Sequence, residues 1–169
     1  MAGADDAGEV LIRVATPDDT PFLRRMQWVA ILASPRLVAA RGIEALRQLE
    51  DQYWAGWPRS GETAFVAEDG DGRPLGAVIL HLHERDGERV VGYRLGVGVE
   101  EGARGRGIGR RLLAEAKRHS REAGADYLLL RVDPTNEPAL RAYRATGFEL
   151  GDADGAVAMI VRFPDGGAA

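Results

Sequence analysis

A strand, a turn rich in glycine and arginine, and an amphipathic helix follow one another between Val97 and Glu122. The first amides of a helix have no partners within the helix, and the helix dipole adds partial positive charge at the same end. Such an end binds phosphate, because glycines let a diphosphate approach the backbone and arginines supply charge. The turn consists of Arg104, Gly105, Arg106, Gly107, Ile108, Gly109 and Arg110. This segment predicts a phosphate-binding turn between a strand and a helix.

Two other nucleotide-binding motifs are excluded at this turn. A P-loop ends in Gly-Lys-Ser/Thr, which the turn lacks, and the dinucleotide pattern G-x-G-x-x-G fails because Arg110 stands three residues after Gly107. Taken alone, the turn leaves a second interpretation open, in which it is a solvated loop of arginines and glycines.

Hydrophobic periodicity along the rest of the chain alternates between strand and helix. Strands are predicted over 10–14, 63–68, 75–82, 89–99, 127–132 and 157–163, and helices from Thr16 and over 38–55, 107–123 and 136–146. The helix after the turn has an apolar face made of Ile108, Leu112, Leu113, Ala116 and Ser120. The pattern predicts an α/β fold with one domain over 9–163 and flexible tails over 1–8 and 164–169.

Composition excludes several classes of function. The 22 basic and 26 acidic residues give a net charge of −4, which argues against non-specific nucleic-acid binding. The chain has no cysteine, and its three histidines make a weak case for a metal site, so no metal is predicted. No apolar run reaches the ~20 residues that cross a bilayer, and the N-terminus does not read as a signal peptide. We therefore expect a cytoplasmic protein without a membrane partner.

A second motif occupies residues 136–148. Asn136 stands at a predicted helix start, and Tyr143 follows seven residues later, two turns along the same face. Each residue has two interpretations: Asn136 caps the helix or reaches a ligand, and Tyr143 is a core aromatic or a functional group.

Together the two motifs resemble the GNAT superfamily of N-acetyltransferases. Its R/Q-x-x-G-x-G/A turn is matched from Arg104 to Gly109, and its N-x-x-A-x-x-x-Y-x-x-x-G-F helix is matched from Asn136 to Phe148. The resemblance implies a mixed central sheet of about seven strands with helices on both faces. It also implies that the fourth and fifth strands splay apart to admit the cofactor arm.

The resemblance further implies the transfer of an acetyl group from acetyl-CoA to a primary amine of a small molecule or peptide by direct attack. Tyr143 would protonate the leaving thiolate. The implied coenzyme A-binding residues are Val97, Gly98, Val99, Arg104, Gly105, Arg106, Gly107, Ile108, Gly109, Arg110 and Asn136. The first three would pair with the pantetheine arm through their backbone, and the amides of the turn would hold the diphosphate. The chain would act as a monomer or a homodimer.

The sequence departs from the superfamily at the general base. Where one branch has a glutamate on the fourth strand this chain has Tyr93, and where another branch has a glutamate before the asparagine it has Arg131. The base therefore stays open among Glu84, Glu88, Glu100, His81, His83 and Tyr93. A catalytically weak coenzyme A-binding sensor or partner module is the alternative function.

Aromatic residues are concentrated in the part of the chain that shapes the acceptor site in the superfamily. They are Trp28, Tyr53, Trp54 and Trp57. Two interpretations stay open: an aromatic pocket for an amine with an apolar body, or anchors that hold the helices to the sheet.

Overall fold

The computed structural model describes residues 8–151 and 157–164. The strands are β1 (Leu11–Val14), β2 (Glu62–Glu68), β3 (Pro74–Arg85), β4 (Glu88–Val99), β5 (Tyr127–Val132), β6 (Glu149–Gly151) and β7 (Val157–Arg162). The helices are α1 (Thr20–Leu32), α2 (Pro35–Arg41), α3 (Ile43–Ala55), α4 (Ile108–Glu122) and α5 (Glu137–Ala145). Most of both predicted tails, residues 1–7 and 165–169, lies outside the described residues.

The strands form one seven-stranded sheet in the order β1-β2-β3-β4-β5-β7-β6. β4 runs parallel to β5, whereas β7 runs antiparallel to both β5 and β6. The predicted mixed sheet of about seven strands is therefore confirmed. The short strand β6 lacks a clear sequence signal, because three residues are too few to show alternation.

The chain divides into two compact units. The first unit contains the residues up to Ile79 together with Leu95–Glu115, and the second contains Leu80–Arg94 and the residues from Ala116 onward. β3, β4 and α4 contribute residues to both units. The single domain expected over 9–163 stays a prediction.

The core of the first unit lies between α1, α3 and the strands β2 and β3. Its members are Phe22, Leu23, Met26, Tyr53, Trp54, Ala64, Val66, Ala77, Ile79 and Leu95. Helix residues spaced three or four apart and strand residues spaced two apart supply it, as expected for elements with one buried face each. A short 3-10 helix, Pro17–Asp19, leads into α1, and Thr16 is its N-cap as predicted.

The helix predicted over 38–55 is divided at Gly42. This glycine has φ +76°, a value that other residues rarely adopt, and it is both the C-cap of α2 and the N-cap of α3. Not every apolar residue of α3 faces the core, because Ile43 and Leu49 are each 45% exposed. The buried face of α3 instead contains Glu50, whose carboxylate accepts a hydrogen bond from the Trp54 indole N–H (3.1 Å).

The second unit has its own small core. It contains Val90, Tyr127, Leu129 and Ala158, with Ile160 packed against it. The Asp86-Gly87 turn joins β3 to β4 with φ of 52° and 82°, the positive values that a two-residue hairpin turn requires. The turn from Gly124 (φ +70°) ends α4 and leads into β5, which starts and ends as predicted.

Among the helices described here, none combines the length and the apolar character needed to cross a membrane.

Candidate active site

The predicted phosphate-binding turn joins β4 to α4 within the first unit. β4 ends at Val99, and the Glu100 N–H donates to the Leu75 carbonyl (2.8 Å), which holds the strand end against β3. Gly105 and Gly107 then have φ of 80° and 73°. A Cβ at either position would meet no atom within 4 Å, so the backbone of the turn faces open space. These glycines give the chain a left-handed path that other residues rarely adopt.

The helix α4 begins directly after the glycine turn. The first helical hydrogen bond runs from the Arg111 N–H to the Gly107 carbonyl (3.1 Å), so the amides of Ile108, Gly109 and Arg110 precede it. These amides and the helix dipole create an electropositive end of the kind that binds phosphate. The sequence prediction of an exposed glycine turn running directly into a helix is therefore confirmed in geometry.

The start of α4 packs on the end of β4. A Cβ added at Gly109 would lie 3.4 Å from Val97 Cγ1 and 3.7 Å from Val99 Cγ2, an ordinary van der Waals contact. The Ile108 side chain is fully buried, so only its backbone is available to a ligand. Val97, Gly98 and Val99 are half-buried.

The three arginines of the turn have exposed side chains. Arg104 Nε donates to the Val99 carbonyl (3.3 Å), and Arg106 Nη2 donates to the Gly8 carbonyl (3.4 Å). Arg106 also lines a cavity of about 350 Å³ in the first unit. The other lining residues are Asp69, Arg73, Leu75, Glu100, Glu101, Gly102 and Ala103. This lining carries charges of both signs, so the cavity shows no clear preference for an anion.

β4 and β5 are paired over a short stretch. Their parallel ladder comprises Val90 with Tyr127, Val91 with Leu128 and Gly92 with Leu129. β4 continues to Val99 and β5 to Val132. The predicted splay of the fourth and fifth strands is thus present, and it starts at Tyr93, well before the end of β4.

The second predicted motif forms α5 in the second unit. Asn136 is its N-cap: its side-chain Oδ1 accepts a hydrogen bond from the Ala139 N–H (3.2 Å), and the residue is exposed. Tyr143 is half-buried and packs edge-to-face on Phe148, with ring centroids 5.6 Å apart. Burial raises the pKa of Tyr143 above its ordinary value, so its hydroxyl keeps its proton at neutral pH.

Tyr93 was one of several candidates for the general base, and it differs from the others in having a buried hydroxyl. Its hydroxyl oxygen is buried without a hydrogen-bond partner among the described residues. Burial first, and then the nearby Tyr143 hydroxyl, hold the pKa of Tyr93 well above its ordinary value. A phenol in this state donates a hydrogen bond but does not act as a base at neutral pH.

The three glutamates that were candidates for the general base either form ion pairs with arginines or are exposed. Glu100 forms an ion pair with Arg25, and Glu88 pairs with Arg162 (3.0 Å). Glu84 is exposed. The rings of His81 and His83 contact each other at a tilt of 33°, with centroids 5.3 Å apart. Within the described residues no three potential metal-ligating side chains cluster.

Two of the four aromatic residues of the first unit are buried in its core, as expected for anchors that hold the helices to the sheet. Tyr53 and Trp54 are buried in the core and pack edge-to-face, with centroids 5.0 Å apart. Trp57 and Trp28 are half-buried; Trp57 packs against Trp54 (5.5 Å), and the Arg47 guanidinium lies over the Trp28 ring (5.7 Å).

The chain is similar to known acetyltransferases in sequence and structure. Residues 27–148 match the model of the acetyltransferase (GNAT) family. A mycothiol acetyltransferase of Saccharomonospora viridis is 34% identical over 116 residues, covering 66% of this chain and 37% of that protein. The chain thus spans less than half the length of that curated relative.

Two solved structures share the fold. A putative acetyltransferase from Pyrococcus furiosus superposes with a TM-score of 0.72 at 21% identity, covering 86% of this chain and 97% of the other. The PaiA N-acetyltransferase from Thermoplasma acidophilum, solved with coenzyme A, gives a TM-score of 0.67 at 19% identity over 92% and 99% of the two chains. The family match and the shared fold agree with the order of the two motifs, and the chain belongs to the acetyltransferase (GNAT) family.

Proposed function

We propose that this chain transfers an acetyl group from acetyl-CoA to a primary amine. The observation that carries the proposal is the turn from Arg104 to Arg110, where open helix amides follow two glycines with positive φ. A coenzyme A diphosphate is an anion of the size and charge that such a helix end binds. Because the chain belongs to the acetyltransferase family, we take the acetyl thioester of acetyl-CoA as the group that reacts.

The proposed co-substrate site uses backbone more than side chains. The amides from Gly105 to Arg110 hold the diphosphate, and the exposed arginines of the turn add charge from solvent. The backbone of Val97–Val99 pairs with the pantetheine arm as an added strand would. Asn136 uses its side-chain oxygen to cap α5, which leaves its amide N–H groups for the pantetheine.

The proposed chemistry needs no covalent enzyme intermediate. A neutral amine attacks the thioester carbon, the carbonyl electrons move to oxygen, and collapse of this oxyanion breaks the C–S bond. Tyr143 gives its proton to the departing thiolate, and the proton that the amine loses restores the Tyr143 hydroxyl. A chain without cysteine is suited to this direct route.

A coenzyme A-binding module with weak catalysis remains the second candidate. Tyr93 and Arg131 occupy the two positions where relatives have a glutamate base, which favours this alternative. The acceptor, the oligomeric state and a cytoplasmic location stay predictions from the sequence. Release of free thiol from acetyl-CoA across a broad panel of amines separates an enzyme from a sensor.

Binding of acetyl-CoA is tested by thermal denaturation of the wild type and of Gly107→Val. Acetyl-CoA at about 100 times its dissociation constant stabilises the wild type by about 2.7 kcal/mol. Valine at position 107 introduces a branched side chain into the space in front of the turn and strains the backbone at φ +73°. We expect the acetyl-CoA-dependent shift in Tm to disappear.

Gly42→Val is the matched control. Gly42 has φ +76° and open space around its Cβ position, as Gly107 does, but lies between α2 and α3. It should lose stability through the same strain and keep the full acetyl-CoA shift. An unchanged Tm of the wild type in excess acetyl-CoA would refute the proposed function.

A further inference from the structure

The buried hydroxyl of Tyr93 is a polar group for which the folded chain provides no partner. A buried hydroxyl without a hydrogen bond is unfavourable, and a bound ligand commonly supplies the missing partner. The corresponding phenylalanine would fill the same space without that cost. The hydroxyl therefore points to a group that arrives with a substrate.

Tyr93 lies at the end of the paired stretch of β4. It is the first residue of β4 beyond the ladder with β5, which ends at Gly92 and Leu129. Beyond that pair the ladder does not continue, although both strands do, and the splay begins. Tyr93 is thus the residue of β4 at which the splay begins, and the paired residue Gly92 precedes it.

Tyr93 and Tyr143 are both phenols of the second unit, Tyr93 on β4 and Tyr143 on α5. They lie close enough that the Tyr143 hydroxyl contributes to raising the pKa of Tyr93, and burial raises the pKa of both. Both groups keep their protons at neutral pH and are hydrogen-bond donors. A thioester presents two neighbouring acceptors, the sulfur and the carbonyl oxygen, and the proposed function uses Tyr143 for the sulfur.

We propose that Tyr93 donates its hydroxyl hydrogen to the carbonyl oxygen of the acetyl thioester and is a second catalytic hydroxyl beside Tyr143. This inference rests on the proposed function. When the amine nitrogen bonds to the carbonyl carbon, the π electrons move to the oxygen, and the Tyr93 O–H stabilises that negative charge. When the C=O bond re-forms, the C–S electrons leave with sulfur, which takes the proton of Tyr143. Tyr93 keeps its own proton throughout.

Tyr93→Phe tests this role, because it removes only the unpaired hydroxyl. We expect the apo protein to keep or raise its Tm and the dissociation constant of acetyl-CoA to change little. The kcat should fall by about 10²–10³-fold, as for loss of one oxyanion donor elsewhere. Tyr127→Phe is the control, since Tyr127 lies in the core of the same unit, and it should retain the wild-type kcat.

The choice of nucleophile separates a contact with the carbonyl from a contact with the amine. Hydroxylamine is a small nucleophile that does not depend on the acceptor pocket, so its enzyme-dependent reaction with acetyl-CoA should fall as much as that of an accepted amine. Equal kcat values for Tyr93→Phe and wild type would overturn the proposal. A loss confined to the amine, with hydroxylamine unaffected, would overturn it as well and assign Tyr93 to the acceptor. If the wild type neither binds acetyl-CoA nor releases thiol from it with either nucleophile, the proposed function itself fails.

Discussion

Tyr143 combines a fixed ring with a hydroxyl that retains its proton. The ring packs on Phe148, and burial raises the pKa of the phenol, so at neutral pH the group is a proton donor. If this proton reaches the leaving sulfur as the C–S bond breaks, Tyr143→Phe should lower the transfer rate constant by about 10²–10⁴-fold. The measurement is single-turnover transfer, with acetyl-CoA affinity followed in parallel and expected to change little.

Thermal stability of the same variant tests the alternative of a core tyrosine. Loss of a structural hydroxyl would lower Tm and leave transfer per folded molecule unchanged, whereas loss of the acid lowers transfer at nearly constant Tm. Tyr127→Phe again provides the comparison, because its ring is buried in the second unit without a proposed chemical role. Full activity in a normally folded Tyr143→Phe protein would remove Tyr143 from the mechanism.

At the scale of elements, Asp19 ties the start of α1 to two strands. Its carboxylate accepts two hydrogen bonds from the Arg13 guanidinium (2.7 and 3.0 Å) and one from the Thr16 N–H (2.7 Å). Arg13 lies on β1 and also donates to Glu68 of β2 (2.7 Å). The hydrogen bonds from Arg13 are the main cause that lowers the pKa of Asp19. The carboxylate therefore stabilises the fold in its charged form.

Asp19→Asn should lower the free energy of unfolding by about 1–3 kcal/mol at pH 7, because a hydrogen-bonded charge is lost from a buried position. The pKa of Asp19 is depressed in the folded state, so this stabilisation is present above the unfolded pKa of about 3.9 and disappears as pH falls through the folded pKa. Denaturant titrations at pH 7 and in steps below pH 4 should show the gap between variant and wild type closing.

The control for this prediction is Asp51→Asn. Asp51 pairs with Arg24 at 2.8 Å, but its side chain is 63% exposed. An exposed pair contributes less than about 1 kcal/mol, so its loss should have a small effect at every pH. A gap between Asp19→Asn and wild type that stays constant down to the lowest pH would contradict the role assigned to the charge.

The elements also show how far sequence reasoning extends. The face of α4 was predictable because strong periodicity places Ile108, Leu112 and Ala116 in one buried row. The face of α3 was not, since Glu50 is held in the core by the Trp54 indole, a pairing that periodicity does not encode. The division of the predicted helix at Gly42 depends on a positive φ that a single glycine permits but does not require.

The site divides in the same way. The glycine turn could be predicted because three closely spaced glycines between a strand and a helix favour a turn. The shared face of Asn136 and Tyr143 could be predicted because the period of an α-helix is fixed. The burial of the Tyr93 hydroxyl without a hydrogen-bond partner could not be predicted, because it depends on the residues that surround Tyr93 in the fold. The early start of the splay depends on strand pairing, which the strand residues alone do not fix.

At the scale of the whole molecule, the exchange rates of the β4 amides should distinguish a pantetheine arm bound along this strand from general stabilisation of the fold by the ligand. The Glu100 N–H points to β3, where it donates to the Leu75 carbonyl. Since successive N–H groups of an extended strand point to opposite edges, those of Val99 and Val97 point away from β3. If the pantetheine arm binds as proposed, the amides of Val97 and Val99 pair with it as with an added strand, whereas the Gly98 N–H shares the direction of the Glu100 N–H.

Amide hydrogen exchange of the entire chain, with and without saturating acetyl-CoA, tests this placement. Ligand linkage slows all amides that exchange through global unfolding by one common factor, and the ladder between β5 and β7 reports that factor. Val97 and Val99 should slow further, by about fivefold or more, because each gains a hydrogen bond worth about 1 kcal/mol. Gly98 and Glu100 are their matched neighbours and should show little change beyond the common factor. Uniform slowing along β4, or protection of Gly98 in preference to Val97 and Val99, would show that the arm does not pair with this edge.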